Sequence, residues 1–234
     1  MDKVTVVIPT YNEAENIKKI IPQTFKVFEE NGIDGEIVVV DDASPDGTAD
    51  LVEGLWNQFN VRVHRRPDKM GLASAILEGF SIAKGDILCV VDADLSHPPE
   101  FISELLKPIL DGNADLVIGS RYTKGGEIDG WPFKRRLISR GAILLAKPLT
   151  SIRDPVSGFF SLKREVIKNV KFRPRGYKIC LEIIVKGKYG KVVELPYTFI
   201  DREIGKSKLG FKEYSNYLLL LIDLYLRSIK KVLR

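Results

Sequence analysis

Ile87-Leu88-Cys89-Val90-Val91-Asp92-Ala93-Asp94 is an unbroken apolar run that ends in two carboxylates one residue apart. Such a short, wholly apolar run bounded by polar residues suits a strand buried on both faces of a parallel sheet. The acids then fall at its carboxyl end, where open α/β sheets bind their ligands. Two carboxylates this close repel each other unless a hard cation lies between them, or between them and a phosphate-bearing ligand. Asp92 and Asp94 therefore read as a metal-diphosphate site; the purely local alternative is that they cap the helix beginning near Pro98-Pro99.

Outward from this stretch, apolar runs at 4–9, 37–40, 61–64 and 116–119 predict further strands, and amphipathic segments near 13–30, 48–58, 72–83 and 100–110 predict helices between them. Strands alternating with helices make βαβ units, hence an α/β protein with a mainly parallel sheet flanked by helices. Asn12 before Glu13-Ala14-Glu15 and Asp46-Gly47-Thr48 before Ala49 are helix-start punctuation. Past Arg121 the regularity weakens: Gly125-Gly126, Gly130 and Pro132 mark a loop, a basic helix is expected over 133–146, and Asp154-Pro155-Val156-Ser157-Gly158 is a turn into a short strand. No internal repeat or low-complexity linker suggests a second independent domain.

Composition limits the partners. At 234 residues, with 44% hydrophobic and 29% charged residues, the chain has the make-up of a globular protein with a sizeable core. Cys89 lies in an apolar strand and Cys180 in an expected helix, so both thiols are expected to stay reduced in a cytosol. The start runs straight into a strand without a basic and apolar leader, and no apolar stretch approaches the ~20 residues needed to cross a bilayer. The net charge of +5 is concentrated late, since 202–234 holds eight Lys or Arg against three acids. That segment lacks interleaved exposed aromatics, so nucleic acid is not expected and an anionic lipid surface is the better partner. Over 211–234, Lys212, Asn216, Asp223, Arg227, Lys230 and Arg234 fall on one narrow helical stripe. The result is an amphipathic helix with a wide apolar side, able to lie in a membrane interface, dock onto a small membrane protein, or pack on its own domain.

Three strand ends share one edge: Pro9-Thr10-Tyr11-Asn12-Glu13, Asp41-Asp42-Ala43-Ser44 and Asp92-Ala93-Asp94. Acids and hydrogen-bonding groups around one crevice suit a ribose, a nucleobase edge and a metal holding phosphates. The first turn lacks the Gly-x-Gly-x-x-Gly of a dinucleotide fold, and no Gly-x-x-x-x-Gly-Lys-Ser/Thr loop is present, which disfavours a dehydrogenase and an ordinary NTPase. A phosphoacceptor receiver domain also gathers strand-end acids, but it is far shorter and needs a late lysine where this chain has Gly119-Ser120-Arg121.

The motifs Val6-Val7-Ile8-Pro9-Thr10-Tyr11-Asn12-Glu13, Val39-Val40-Asp41-Asp42-Ala43-Ser44-Pro45-Asp46-Gly47-Thr48 and Asp92-Ala93-Asp94-Leu95-Ser96-His97-Pro98 resemble the nucleotide-sugar domain of family 2 glycosyltransferases with the GT-A fold. Gly119-Ser120-Arg121-Tyr122, Arg135-Arg136-Leu137-Ile138-Ser139-Arg140-Gly141 and Asp201-Arg202-Glu203-Ile204-Gly205-Lys206-Ser207-Lys208 narrow the resemblance to the dolichol-phosphate mannose synthase group. It implies a GT-A-type, Rossmann-like catalytic domain over 1–210 followed by the amphipathic helix of 211–234. The implied reaction is inverting transfer of mannose from GDP-mannose to a dolichyl or other polyprenyl phosphate, on the cytoplasmic face of a membrane. The alternatives are glucose from UDP-glucose within the same chemistry, and a non-catalytic nucleotide-sugar-binding subunit.

The resemblance also assigns residues. Pro9, Tyr11, Glu13, Asp41, Asp42, Asp92 and Ala93 would hold the nucleotide-sugar, with Asp42 equally readable as a turn residue opening Ser44-Pro45-Asp46-Gly47. Asp92, Asp94 and Ser96 would manage a Mg²⁺ or Mn²⁺ ion, although several relatives carry glutamine at the position of Ser96, whose shorter hydroxyl reaches an ion only at close range or through water. Arg121, Arg135 and Ser139 would contact the acceptor phosphate, since Arg suits bidentate phosphate binding. Asp94, Arg121, Arg202 and Lys208 would serve catalysis, the last two on a Gly-containing segment with Lys206 that can close over a departing diphosphate. An acceptor phosphate is already anionic at neutral pH, so no strong base is needed. His97 reads as a loop hydrogen-bonding residue, His64 as a strand-end surface group and Asp154 as a turn residue, Asp154 being also the one alternative candidate for a base.

Overall fold

The computed structural model describes residues 2–201 and 210–232. Strands β1 (Val4–Thr10), β2 (Gly35–Asp41), β3 (Val61–Arg65), β4 (Ile87–Val90) and β5 (Leu116–Ser120) alternate with helices α1 (Ala14–Glu30), α2 (Thr48–Leu55), α3 (Leu72–Ile82) and α4 (Ile102–Leu110). Then follow β6 (Glu127–Asp129), α5 (Phe133–Ala146), β7 (Phe160–Lys163), α6 (Ile179–Lys186), β8 (Val192–Pro196), β9 (Thr198–Ile200) and α7 (Phe211–Val232).

The main sheet has the order β3-β2-β1-β4-β7-β5-β8. All its pairings are parallel except the two made by β7, which runs antiparallel between β4 and β5. A second, two-stranded sheet pairs β6 with β9 in parallel. The reversal of β7 has a local cause: the turn that starts it stands at the carboxyl ends of β4 and β5, with Gly119 N donating to Phe159 O at 2.9 Å, so the strand can only run back down the sheet. This brings the 154–158 turn beside the end of β4.

Every residue of β1 and of β4 is buried. Alternate side chains serve opposite faces: Val6 and Ile8 join a core with α1, α2 and α4, while Val7 joins a core with α3 and α6. Helices thus cover both faces, which is why these strands read as continuous apolar runs rather than alternating ones. Register aligns the site edge, with Thr10 opposite Asp41 and Val7 opposite Val90. The segments leaving β1, β2 and β4 therefore emerge side by side.

Helix α7 uses its two sides differently. Tyr217, Leu220, Leu221 and Leu224 are buried against Ile143 and Ala146 of α5, Leu181 of α6 and Val156. The seam is pinned by Tyr217 Oη donating to Ala142 O at 2.6 Å and Tyr225 Oη to Leu145 O at 2.5 Å. Leu218, Ile222, Leu226 and Ile229 stay exposed, as do Phe133, Leu137 and Leu144 on α5. Among the described residues no helix is long and apolar enough to cross a membrane. Both cysteines are free and buried.

Candidate active site

The first wall is made where β1 and β2 end. Asn12 takes the left-handed conformation (φ 59°), which asparagine tolerates better than most residues, and it turns the chain into α1. The orphan amides at the start of α1 are then met by the neighbouring loop. Asn12 N donates to Ser44 Oγ at 2.9 Å, Glu13 N to Thr48 Oγ1 at 3.0 Å and Ala14 N to Asp46 Oδ2 at 3.0 Å. The Asp41–Thr48 motif is thus in good part a staple between two loops. Burial works to raise the Asp46 carboxyl, but the hydroxyl and amide donors around it outweigh that and hold it below its ordinary value.

Asp41 and Asp42 part ways. Asp41 does not line the cavity: its carboxylate accepts Thr10 Oγ1 at 2.9 Å, Ser44 N at 2.9 Å and Ser44 Oγ at 2.6 Å. Asp42 does line it, and accepts Gly71 N at 2.8 Å and an ion-pair bond from Arg66. Arg66, whose side chain is fully buried, also donates to both carboxylate oxygens of Glu78 at 3.0 Å, to Ser74 Oγ at 2.8 Å and to Gly71 O at 3.2 Å. Nothing in the sequence reading pointed to Arg66; the basic His64-Arg65-Arg66 run at the end of β3, facing the acidic end of β2, was the available signal. Across the same wall Lys69 Nζ stands 3.5 Å from the centre of the Tyr11 ring.

The floor comes from the loop after β4. Ser96 donates both N–H and Oγ–H to Asp94 Oδ1, at 3.1 and 2.6 Å, so the serine hydroxyl is turned onto the carboxylate and orients it. His97 is buried, stacks on Phe159 with ring centres 4.7 Å apart, and accepts Asp92 N through Nδ1 at 3.0 Å. Burial pushes its pKa down to about 3. It is therefore a neutral prop under Asp92, with its proton on Nε2, 3.8 Å from Asp92 Oδ2. Gly158 lies against this pair, where a Cβ would meet His97 Cε1 at 3.3 Å and Asp92 Oδ2 at 3.4 Å.

The far wall carries the basic side chains. Arg121 is buried and forked onto Asp154, with Nε to Oδ2 and Nη2 to Oδ1 both at 2.8 Å. Asp154, read from sequence as a turn residue, is the fully buried partner of this arginine. Arg135 stacks on Trp131 at 4.1 Å and pairs with Asp201 Oδ1 through Nη1 at 2.8 Å. Lys178, which the sequence reading also passed over, donates to Val156 O at 3.1 Å. Burial, with the like charge of Arg121, pushes its pKa down to about 7.

These walls enclose one cavity of about 800 Å³. It brings together Pro9, Tyr11, Glu13 and Asp42 from the first wall, Asp92, Ala93, Asp94 and Ser96 from the floor, and Arg121, Arg135 and Ser139 from the far wall. Arg202, Lys206 and Lys208 lie outside the described residues. Among the described residues no group of three or more His, Cys, Asp or Glu side chains could hold a metal unaided. Two hard carboxylates in an open cleft do fit Mg²⁺ or Mn²⁺, ions that commonly take one or two protein carboxylates and complete their shell with substrate phosphates and water.

A doubly covered, mainly parallel sheet with a two-carboxylate loop and arginines around one cleft defines an α/β protein whose ligand site lies at the carboxyl edge of its sheet. Residues 5–171 match the family described as Glycosyl transferase family 2, and the chain belongs to that family. The dolichol-phosphate mannosyltransferase of Pyrococcus furiosus is 48% identical over 220 residues, covering 92% of this chain. This chain spans only 62% of that relative's length. The protein of the same name from Saccharomyces cerevisiae is 39% identical over 232 residues, covering 94% of this chain and 86% of its own. Among solved structures, glucosyl-3-phosphoglycerate synthase from Mycobacterium tuberculosis in complex with Mn²⁺, UDP and glucosyl-3-phosphoglycerate superposes with a TM-score of 0.68. At 22% identity, with 97% of this chain and 79% of that one covered, it supports the fold.

Proposed function

We propose that the chain transfers mannose from GDP-mannose to a dolichyl or other polyprenyl phosphate with inversion at the anomeric carbon. The observation that carries this reading is the single cavity with an acidic floor at one side and paired arginines at the other. A donor diphosphate needs the first and an acceptor phosphate the second. The names of the archaeal and yeast relatives support the sugar and the lipid.

The chemistry asks little of a base. A phosphate monoester is already an anion at neutral pH. Its oxygen forms the new bond to the anomeric carbon as the bond to the donor's β-phosphate oxygen breaks, and the nucleoside diphosphate leaves with that electron pair. No proton has to move. What this chain supplies is placement: Tyr11, Glu13 and Asp42 line the nucleoside end, while Arg121, Arg135 and Ser139 bracket the acceptor phosphate and hold it for attack. Asp92 and Asp94 would hold Mg²⁺ or Mn²⁺, which when bound neutralises the diphosphate and its leaving charge. Neutral His97 fixes the Asp92 backbone and carries no proton in the reaction. Arg202 and Lys208 are proposed to close over the same diphosphate.

The exposed apolar stripes of α5 and α7 support a peripheral position on a membrane surface, which the proposal sets on the cytoplasmic face. The decisive experiment follows labelled sugar into an organic-extractable product. The purified chain is given a short polyprenyl phosphate, Mg²⁺ or Mn²⁺, and GDP-mannose or UDP-glucose in parallel. Label from GDP-mannose that vanishes with a chelator or with Asp94→Asn is the expected result. Label from UDP-glucose alone would move the donor to glucose, and binding of the nucleotide-sugar without any transfer would favour a binding subunit.

A further inference from the structure

The two arginines proposed for the acceptor phosphate both stand in ion pairs. Arg121 gives Nε and Nη2 to buried Asp154, and Arg135 gives Nη1 to Asp201. Each pair is close to neutral, so the far wall offers hydrogen-bond donors with little net charge. A phosphate monoester carries a charge of roughly −1.5 to −2 near neutral pH. Something must balance it.

Lys178 is placed to do so. It is the N-cap residue of α6, at the end of a turn made by Gly176 (φ 60°), and its side chain lines the same cavity. Its ammonium donates to one neutral carbonyl, Val156 O at 3.1 Å, and lies 4.4 Å from the Tyr177 ring centre. No carboxylate of the described residues comes within ion-pair distance of it. An ammonium has three donors, so two remain for a ligand. Burial and the like charge of Arg121 depress its pKa, and the carboxylates of Asp154 and Asp92 offset only part of that. Its bond to Val156 O ties it to the 154–158 turn, which also carries Asp154, the partner of Arg121, and so sets it on the acceptor wall.

We propose that Lys178 binds the phosphate of the polyprenyl acceptor directly, supplying the uncompensated positive charge that the paired arginines lack. The proposal rests on the acceptor being a polyprenyl phosphate, as argued above. It makes Lys178 a substrate-contacting residue of the transfer reaction, acting on the nucleophile and not on the donor.

The test compares wild type with Lys178→Met and Lys178→Arg, reading acceptor KM, kcat and donor affinity separately, the last by titration with GDP. Loss of one charge-assisted bond to phosphate should raise the acceptor KM of Lys178→Met roughly 10- to 100-fold. GDP affinity should stay within about twofold of wild type, and Lys178→Arg should recover part of the loss, because Arg retains the charge. An unchanged acceptor KM, or a loss of GDP affinity as large as the loss for acceptor, overturns the proposal. A second reading uses the unaltered chain, so it does not depend on the variants folding. Acetylation of Lys178, followed by mass spectrometry, should be slowed by polyprenyl phosphate and not by the corresponding alcohol; equal rates with both would also overturn it. If the wild-type chain transfers no sugar to the lipid and polyprenyl phosphate does not bind it, the functional reading itself fails, and this proposal with it.

Discussion

Arg121 and Asp154 meet as a two-bond fork, Nε to Oδ2 and Nη2 to Oδ1 at 2.8 Å each, with Arg121 N also donating to Oδ2 at 3.0 Å. The fork ties the end of β5 to the turn that starts β7, so it holds the far wall of the cleft in place. Both side chains are buried. Removing one partner strands the other charge, and Asp154→Asn should cost roughly 3–5 kcal/mol of stability in urea unfolding. The double variant Arg121→Met/Asp154→Leu should recover much of that stability while remaining inactive. If the double variant is as unstable as the single, the fork is not the origin of the loss.

Arg66 offers a separate handle on the wall proposed to hold the nucleoside. Its guanidinium joins Asp42, Glu78, Ser74 and the Gly71 carbonyl, and Asp42 in turn takes Gly71 N. Arg66→Met should let the 69–71 loop drift from Tyr11 and Asp42, raising donor KM about tenfold or more, with a smaller change in acceptor KM. Equal effects on both substrates would mean a general loss of structure and not a local one.

Much of this was legible beforehand, for physical reasons. Strands β1, β2, β4 and β5 are recognisable because burial on both faces leaves them largely apolar, β3 because its valines alternate with polar residues, and the helices between them because one apolar side repeats every 3.6 residues. Strands β6 and β9 span three residues each, too short for any period, and β8 is an edge strand whose pairing with β5 bridges about seventy residues of chain. At the site, acids at strand ends announce themselves by type and place. What they bond to does not: Asp41 turns inward to Thr10 and Ser44, Asp42 outward to Gly71 and Arg66, although the two are adjacent and identical in type. Lys178 escaped because a lysine before a helix is ordinarily solvated; only the folded chain sets it against the 154–158 turn and into the cavity that Arg121 lines.

Glu36 sets part of the acid limit of the fold. Burial alone would raise its carboxyl, but the bonds it accepts from Arg62, the Lys84 N–H and Thr5 Oγ1 outweigh burial and hold it below its ordinary value of 4.5. Between the folded and unfolded values the unfolded chain binds more protons, so this stabilisation is full above about pH 4.5 and is lost as pH falls through the folded value. Glu36→Gln should lower stability at pH 7 and flatten the decline below pH 4.5, as read by thermal unfolding across pH. A variant with an unchanged acid profile would sink the assignment.

The exposed stripes of α5 and α7 should govern access to a lipid acceptor. Phe133, Leu137 and Leu144 recur along one side of α5, and Leu218, Ile222, Leu226 and Ile229 along one side of α7, while the opposite side of α7 is buried in the seam between the helices. Lys134, Arg136, Arg140 and Lys147 are exposed on and just beyond α5, and each basic residue near an anionic bilayer contributes on the order of 1 kcal/mol. Leu144→Glu/Ile222→Glu places two carboxylates on these stripes without touching the cavity lining. Sedimentation with phosphatidylserine-containing vesicles should fall by roughly tenfold or more, from lost apolar insertion and from charge repulsion. Turnover with a short, water-dispersed polyprenyl phosphate should be retained, because the cleft is intact. Vesicle binding that survives both substitutions would move the membrane contact elsewhere on the chain, and loss of turnover with the short acceptor would tie these stripes to the catalytic cleft instead of to the lipid surface.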